Sequence, residues 1–209
     1  MVRRTKEEAE VTRQRILDAA EVIFQRNGVS KTTLNDIAQE ANVTRGAIYW
    51  HFENKVSVYD AMIHRIIDPV EDKLAELQAQ HINEPLVFIR TMMLFFLNKL
   101  ATDPRYYCIL EIAWQKCEYV GEMAEIRNRH LECGNRFAGI YTEAIEKAKA
   151  QGDLPKSLDA KMAAVGLMAV KDGLIANWTL DRNRFPLGEM AEGIMDFYLA
   201  GIAAEPKSK

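Results

Sequence analysis

The sequence predicts an all-α fold, and three observations carry that prediction. No stretch alternates apolar and polar residues between turn formers, as a half-buried strand would. Apolar residues recur instead at spacings of three and four, the signature of a helix face. Capping residues and stop signals then cut this periodicity into about nine segments.

The first segment places Ile16, Ala19, Ala20, Ile23 and Phe24 on one stripe of a helix from about Glu7 to Arg26, which Asn27-Gly28 stops. Thr32 and Thr33 open the second, with Asp36 set three residues after Thr33 as a capping-box partner. Leu34, Ile37, Ala38 and Ala41 form its buried face before Asn42-Val43-Thr44 interrupts it. Thr44 caps a third short helix from Arg45 to about Trp50, and Trp50 and Phe52 are expected in the core. A long helix follows from about Asn54 to Gln80, with a kink expected at Pro69. Asn83-Glu84-Pro85 and Asp103-Pro104 each set a capping type before a proline suited to a first turn. A segment from about Gly121 to Gln151 ends at Gly152-Asp153-Leu154-Pro155. The last two run from about Ser157 to Leu180 and from Pro186 to Ala203, around the polar loop Asp181-Arg182-Asn183-Arg184. With no repeat and no flexible linker, the chain reads as two unequal parts: a trihelical unit, residues 1–53, and a larger bundle, residues 54–209.

Composition narrows the function classes. The 209 residues, 48% of them hydrophobic, suffice for a core without disulfides or metal. The basic start through Lys6 meets Glu7, Glu8 and Glu10 rather than an apolar stretch, so no secretory signal is expected. The longest apolar runs, Met92 to Leu97 and Ala163 to Val170, fall short of the roughly 20 residues of a spanning helix, so a cytoplasmic location and no membrane partner are expected. Cys108, Cys117 and Cys133 are an odd count, expected as free thiols. His130 and Cys133 sit three apart, half of a metal site, but a structural zinc takes four ligands and no second pair has matching spacing. No phosphate-cradling loop and no nucleophile–base motif appears. Neither a cofactor nor an enzymatic activity is expected.

One motif carries chemistry. Two short helices across a tight turn are a helix-turn-helix pattern, whose second helix enters the DNA major groove. Leu34, Ile37, Ala38, Val43 and Ile48 hold the pair together, leaving Thr44, Arg45, Gly46, Tyr49 and His51 to face outward. Arg45 suits a bidentate contact to guanine O6 and N7, Gly46 permits close backbone approach, and Tyr49 offers a ring edge to a thymine methyl and a hydroxyl to phosphate. Lys55 and the free N–H groups near it and near Thr33 suit phosphates. On spacing alone, a surface hairpin with an incidental arginine stays open as an alternative.

The stretches Thr32-Thr33-Leu34-Asn35-Asp36-Ile37-Ala38, Val43-Thr44-Arg45-Gly46-Ala47-Ile48-Tyr49-Trp50-His51-Phe52 and Asn54-Lys55 resemble the DNA-binding signature of the TetR family of repressors. Together with Arg3-Arg4-Thr5-Lys6 and the later Lys116-Cys117-Glu118-Tyr119-Val120-Gly121-Glu122-Met123, they resemble the AcrR/TtgR-type repressors of multidrug efflux operons. The match is dense over the first 60 residues and sparse but recurrent to Trp178. Asn42 stands where that family often has glycine, and asparagine is the next most tolerant of a left-handed turn. The resemblance implies a homodimer on a palindromic double-stranded operator, released by a small hydrophobic or aromatic inducer held in the larger domain.

The C-terminal segments add their own signals. The Ala160–Leu180 helix is apolar nearly all round, and the last helix carries Ile194, Phe197, Tyr198, Gly201 and Ile202 at helical spacing. Together they suit a two-fold dimer interface, with a monomeric core as the alternative. Met92, Met93, Phe96, Leu110, Trp114, Phe137, Tyr141 and Met168 suit a cavity for varied apolar molecules, although the same residues also suit a plain core, which the residues alone favour. Asp172, a carboxylate within an apolar helix, needs a partner or a cavity; the resemblance puts that position in the ligand site, and Glu111 is a weaker candidate of the same kind. A DNA-binding regulator without small-molecule input and a bundle with an incidental hairpin remain the competing readings.

The net charge of −3 does not exclude a nucleic-acid partner. Residues 1–55 hold nine basic against eight acidic side chains, and residues 56–209 hold 18 against 22. Placement matters more than the sum: Arg3, Arg4, Lys6, Arg45 and Lys55 gather at the expected contact surface, which calls for modest, salt-sensitive non-specific affinity.

Overall fold

The computed structural model describes residues 6–204, so Arg3, Arg4 and Thr5 of the basic start lie outside the described residues. Among the described residues there are nine α-helices and no strand: α1 (Lys6–Asn27), α2 (Leu34–Glu40), α3 (Arg45–His51), α4 (Lys55–Gln80), α5 (Pro85–Thr102), α6 (Pro104–Glu111), α7 (Ala124–Gln151), α8 (Ala160–Leu180) and α9 (Leu187–Ala203). A π-helical turn (Ile112–Lys116) and a 3₁₀ turn (Gly121–Met123) join α6 to α7.

Helix ends follow the capping chemistry, with small departures. Thr33 and Asp36 form the expected reciprocal capping box on α2. Asn54 caps α4, its side chain accepting from the Ser57 N–H at 2.9 Å. Asp103 accepts from the N–H groups of Arg105 and Tyr106 at 3.0 and 3.2 Å, so it starts α6. Glu84 precedes α5 without a side-chain cap, and Pro85 at the first turn removes one donor that would need one. Asp159 caps α8 at 2.9 Å from Met162 N, which moves that helix start from Ser157 to Ala160.

Two compact units divide the chain. The first comprises the residues up to Asp68 together with Cys108–Arg127; the second comprises Pro69–Tyr107 together with the residues from Asn128 on. Compactness thus divides the chain at other places than the motif boundary at residue 53, and α4 belongs to both units. It runs as one helix through Pro69, where the Asp68/Pro69 junction is also the crossing from one unit to the other.

In the first unit, Ile16, Leu17, Ala20 and Phe24 of α1 form a core with Ile37 and Ala38 of α2, Ile48 of α3, and Val58, Tyr59 and Met62 of α4, all at most 2% exposed. The Arg65 guanidinium on α4 bonds four acceptors on α1: the carboxylates of Asp18 and Glu21, and the backbone and side-chain oxygens of Gln14. A buried guanidinium needs such saturation, since each unmade bond leaves a donor desolvated.

In the second unit, α5 packs along α9 and contributes Phe88, Ile89, Met92, Met93, Phe96, Leu97 and Leu100 to the core. Arg90 closes that seam with Asp196 at 2.6 Å and Glu192 at 2.5 Å. The α8–α9 contact depends on a missing side chain: a Cβ at Gly166 would lie 2.5 Å from the Tyr198 hydroxyl, which donates to the Ala163 carbonyl. By length and composition α5 could cross a membrane, but eight of its residues are buried in this bundle.

Candidate nucleic-acid interface

The turn before α3 is built to a defined geometry. Asn42 adopts φ 51°, the left-handed conformation expected of it. The Val43 N–H bonds the Ala38 carbonyl at 2.9 Å and the Asn42 N–H bonds the Gln39 carbonyl at 3.0 Å, a Schellman closure of α2. Arg15 of α1 then donates to the carbonyls of Ala41 and Asn42 at 3.2 and 3.3 Å, fixing the turn from outside the hairpin. No local pattern singles out Arg15, because its partners lie 26 and 27 residues away.

Thr44 caps α3, accepting from Ala47 N at 3.2 Å, and Ile48 is the one buried residue of the helix. At about 100° per residue, counted from Ile48, Arg45 lies near 60°, Tyr49 near 100°, Gly46 near 160° and Trp50 near 200°. These four therefore form one continuous outer face. Arg45 and Gly46 are exposed, as are Tyr49 (48%) and Trp50 (72%). The Arg45 guanidinium stands 5.6 Å over the Tyr49 ring, which holds the two side chains together on this face. A Cβ at Gly46 would meet nothing nearer than the Thr44 hydroxyl at 4.0 Å, so the internal packing does not require glycine there.

The expectation for Trp50 is corrected by this geometry. A helix held by Ile48 alone turns the residue two positions later to the opposite side, so the indole faces solvent while Phe52, at 4% exposure, enters the core. His51, half-buried, stacks edge-on against Trp50 with centroids 4.5 Å apart and orients the indole.

Lys55, expected at a phosphate, has its side chain engaged within the protein in this structure. Its ammonium turns inward, 2.8 Å from Glu122 and 3.4 Å from the Ser30 carbonyl, with 9% side-chain exposure. Thr33 remains exposed, but its N–H and hydroxyl both donate to Asp36 Oδ2, at 2.8 and 2.7 Å. Those bonds hold the Asp36 carboxyl below the usual carboxylate range.

The ligand candidates separate. Met92, Met93, Phe96, Phe137 and Tyr141 are buried together in the second unit, with Met168 and Asp172 half-buried there. Leu110, Glu111 and Trp114 are half-buried members of the first unit, where Glu111 accepts from the Gln25 amide at 2.8 Å. An open depression of about 280 Å³ on α1 and α2, edged by Arg26, Asp36 and Glu40, includes none of these candidates. Among the described residues, no group of three or more His, Cys, Asp or Glu is arranged to hold a metal. The three cysteines form no disulfide. Sequence reasoning overlooked Lys171, a buried cation on α8; its signal was a lysine within an otherwise apolar helical stripe.

Comparison with known proteins identifies two family regions along the chain. Residues 16–62 match the model of bacterial regulatory proteins of the tetR family, and residues 84–203 match the C-terminal region of MAATS-type transcriptional repressors. The chain is 43% identical over 184 residues, 86% of each chain, to the HTH-type transcriptional regulator TtgR of Pseudomonas putida. It resembles the crystal structure of NalD, the secondary repressor of the MexAB-OprM multidrug efflux pump in Pseudomonas aeruginosa, with TM-score 0.86 and 31% identity over 95% of this chain and 98% of that one. A triclosan complex of SmeT, the repressor of the Stenotrophomonas maltophilia multidrug efflux pump SmeDEF, aligns with TM-score 0.80 and 27% identity, covering 95% of this chain and 100% of that one.

Proposed function

Because this chain belongs to the TetR family of bacterial regulatory proteins, its activity is transcriptional repression, and we propose that it reads a palindromic operator of a multidrug efflux operon as a homodimer. The observation that carries the reading is the outer face of α3. Gly46, which the protein's own packing does not require, lies between Arg45, Tyr49 and Trp50 on that face. In the proposed complex Arg45 takes guanine O6 and N7, Gly46 lets the backbone approach, and Tyr49 and Trp50 pack against thymine methyls and sugars. Thr33 and Thr44 reach phosphates, while His51 acts by orienting Trp50. On this reading residues 1–53 serve DNA and residues 54–209 serve dimerisation and inducer binding, and the work is done in the cytoplasm, where the operator is.

The dimer surface we assign to α8 and α9. Met162, Val165 and Ala169 are exposed at i, i+3, i+7 on α8, and Met190, Gly193, Phe197 and Gly201 repeat that spacing on α9. Phe197 is 80% exposed and Met162 66%, an apolar cost that a self-complementary two-fold contact removes. The inducer is a small hydrophobic or aromatic molecule held by the second unit; SmeT, whose whole chain aligns with this one, is the relative with triclosan bound. Release requires the inducer to prefer a state that DNA does not, and α4, common to both units, is the element through which that preference acts.

A mobility-shift titration with the DNA upstream of the neighbouring transporter operon tests this. Specific, salt-dependent retardation is expected, reversed by dyes or planar antibiotics. Operator binding unaffected by every ligand that binds the protein would leave a regulator without small-molecule input. The absence of any duplex binding would overturn the repressor reading.

A further inference from the structure

The second unit buries a cation on a mostly apolar helix. Lys171 of α8 is 9% exposed. Its ammonium lies 3.1 Å from Asp172 Oδ1 and 5.1 Å over the Phe96 ring. Neighbours in sequence diverge by about 100° around a helix, so this is not the opposed pairing that positions three or four apart provide. The two partners are also unequally placed: side-chain exposure is 38% for Asp172 and 11% for Lys171. The carboxylate keeps its water, and the ammonium, with three donors to satisfy, does not.

Phe96 begins a chain of rings. It meets Phe137 edge-on with centroids 5.6 Å apart, Phe137 meets Tyr141 at 6.3 Å, and Tyr141 meets Phe88 at 6.3 Å. Tyr141 is fully buried and its hydroxyl has no hydrogen-bond partner, although a buried phenol ordinarily finds one. One aromatic cluster therefore carries two donor groups with capacity to spare.

We propose that this cluster recognises planar aromatic acids, with the carboxylate or phenolate oxygen on Lys171 Nζ and the ring against Phe96 and Phe137. The inference rests on the second unit being the inducer-binding one and names the chemical class it prefers. A charge-assisted hydrogen bond in a dry site is stronger than a neutral one. A ligand carboxylate completes the donors that Asp172 leaves, while a cationic aromatic meets like charge. Asp172, being solvated, gives up its contact at lower cost than a buried carboxylate would.

Calorimetry on the full-length protein with 2-naphthoate, its neutral isostere 2-naphthamide, and the planar cation ethidium tests this, alongside release of operator DNA by each. The naphthoate is expected to bind about tenfold more tightly than the amide, as a charge-assisted bond allows. Lys171→Met is expected to level the two affinities. Lys171→Gln, which keeps a donor without the charge, serves where the methionine variant loses its cooperative thermal melt. Equal binding of acid and amide to the wild type, with both releasing operator, overturns the acid preference and leaves the ligand-responsive reading standing. Retention of the preference in both variants also overturns the assignment. Binding of none of the three overturns the proposal, and loss of operator release by every other dye and drug as well would overturn the reading beneath it.

Discussion

One of the seven residues of α3 is buried, against eight of the 21 residues of α8. The first helix is held by Ile48, by its Thr44 cap and by a turn that Arg15 fixes, so nearly all of its surface remains available to a partner. The second is held by its length, with Ala163, Ala164, Leu167 and Ile175 packed inward. Its polar groups are exceptional for that reason: a lysine on α8 loses its water, whereas an arginine on α3 keeps it. Under the proposed function, the difference separates two kinds of recognition, an exposed face for a large charged partner and a buried cluster for a small one.

That contrast can be broken at several points. Arg65→Ala is expected to have the largest effect, about 3–5 kcal/mol of stability, because it leaves the buried Glu21 carboxylate without its cation. Urea denaturation measures it, and a loss under 1 kcal/mol would show that the α1–α4 base does not depend on this network. Leu167→Ala in α8 is expected to cost about 2–5 kcal/mol by leaving a cavity, read from the same denaturation curves. Arg45→Ala in α3 should leave those curves unchanged and weaken operator binding by about 1–3 kcal/mol in a fluorescence-anisotropy titration. If it lowers stability instead, the outer face of α3 is structural.

The smallest effect concerns the caps. Thr44→Ala is expected to cost about 1 kcal/mol by removing the bond to Ala47 N. The capping box on α2 carries a pH signature, since Thr33 lowers the Asp36 pKa through its hydroxyl and N–H. A depressed carboxylate stabilises the fold above its unfolded pKa and loses that contribution as pH falls through the lower folded one. Titrating Asp36 by NMR in wild type and Thr33→Ala checks this, with the Asp36 pKa rising toward the ordinary value in the variant.

The helices, their caps and the reading hairpin were legible in the sequence because each depends on residues close together along it. Periodicity placed the core stripes of α1 and α2, and Asn42 marked the turn from its tolerance of positive φ. Trp50 was misplaced because hydrophobicity suggested the core, whereas its 200° offset from Ile48 decided its direction. Lys55 turns inward to a partner 67 positions later in the chain, Glu122. Only tertiary structure could show that, as it alone could assign residues 108–127 to the first unit and set Lys171 over Phe96. Short-range chemistry fixes which elements form and how they end; which charges lose their water depends on segments that meet only after the chain has folded.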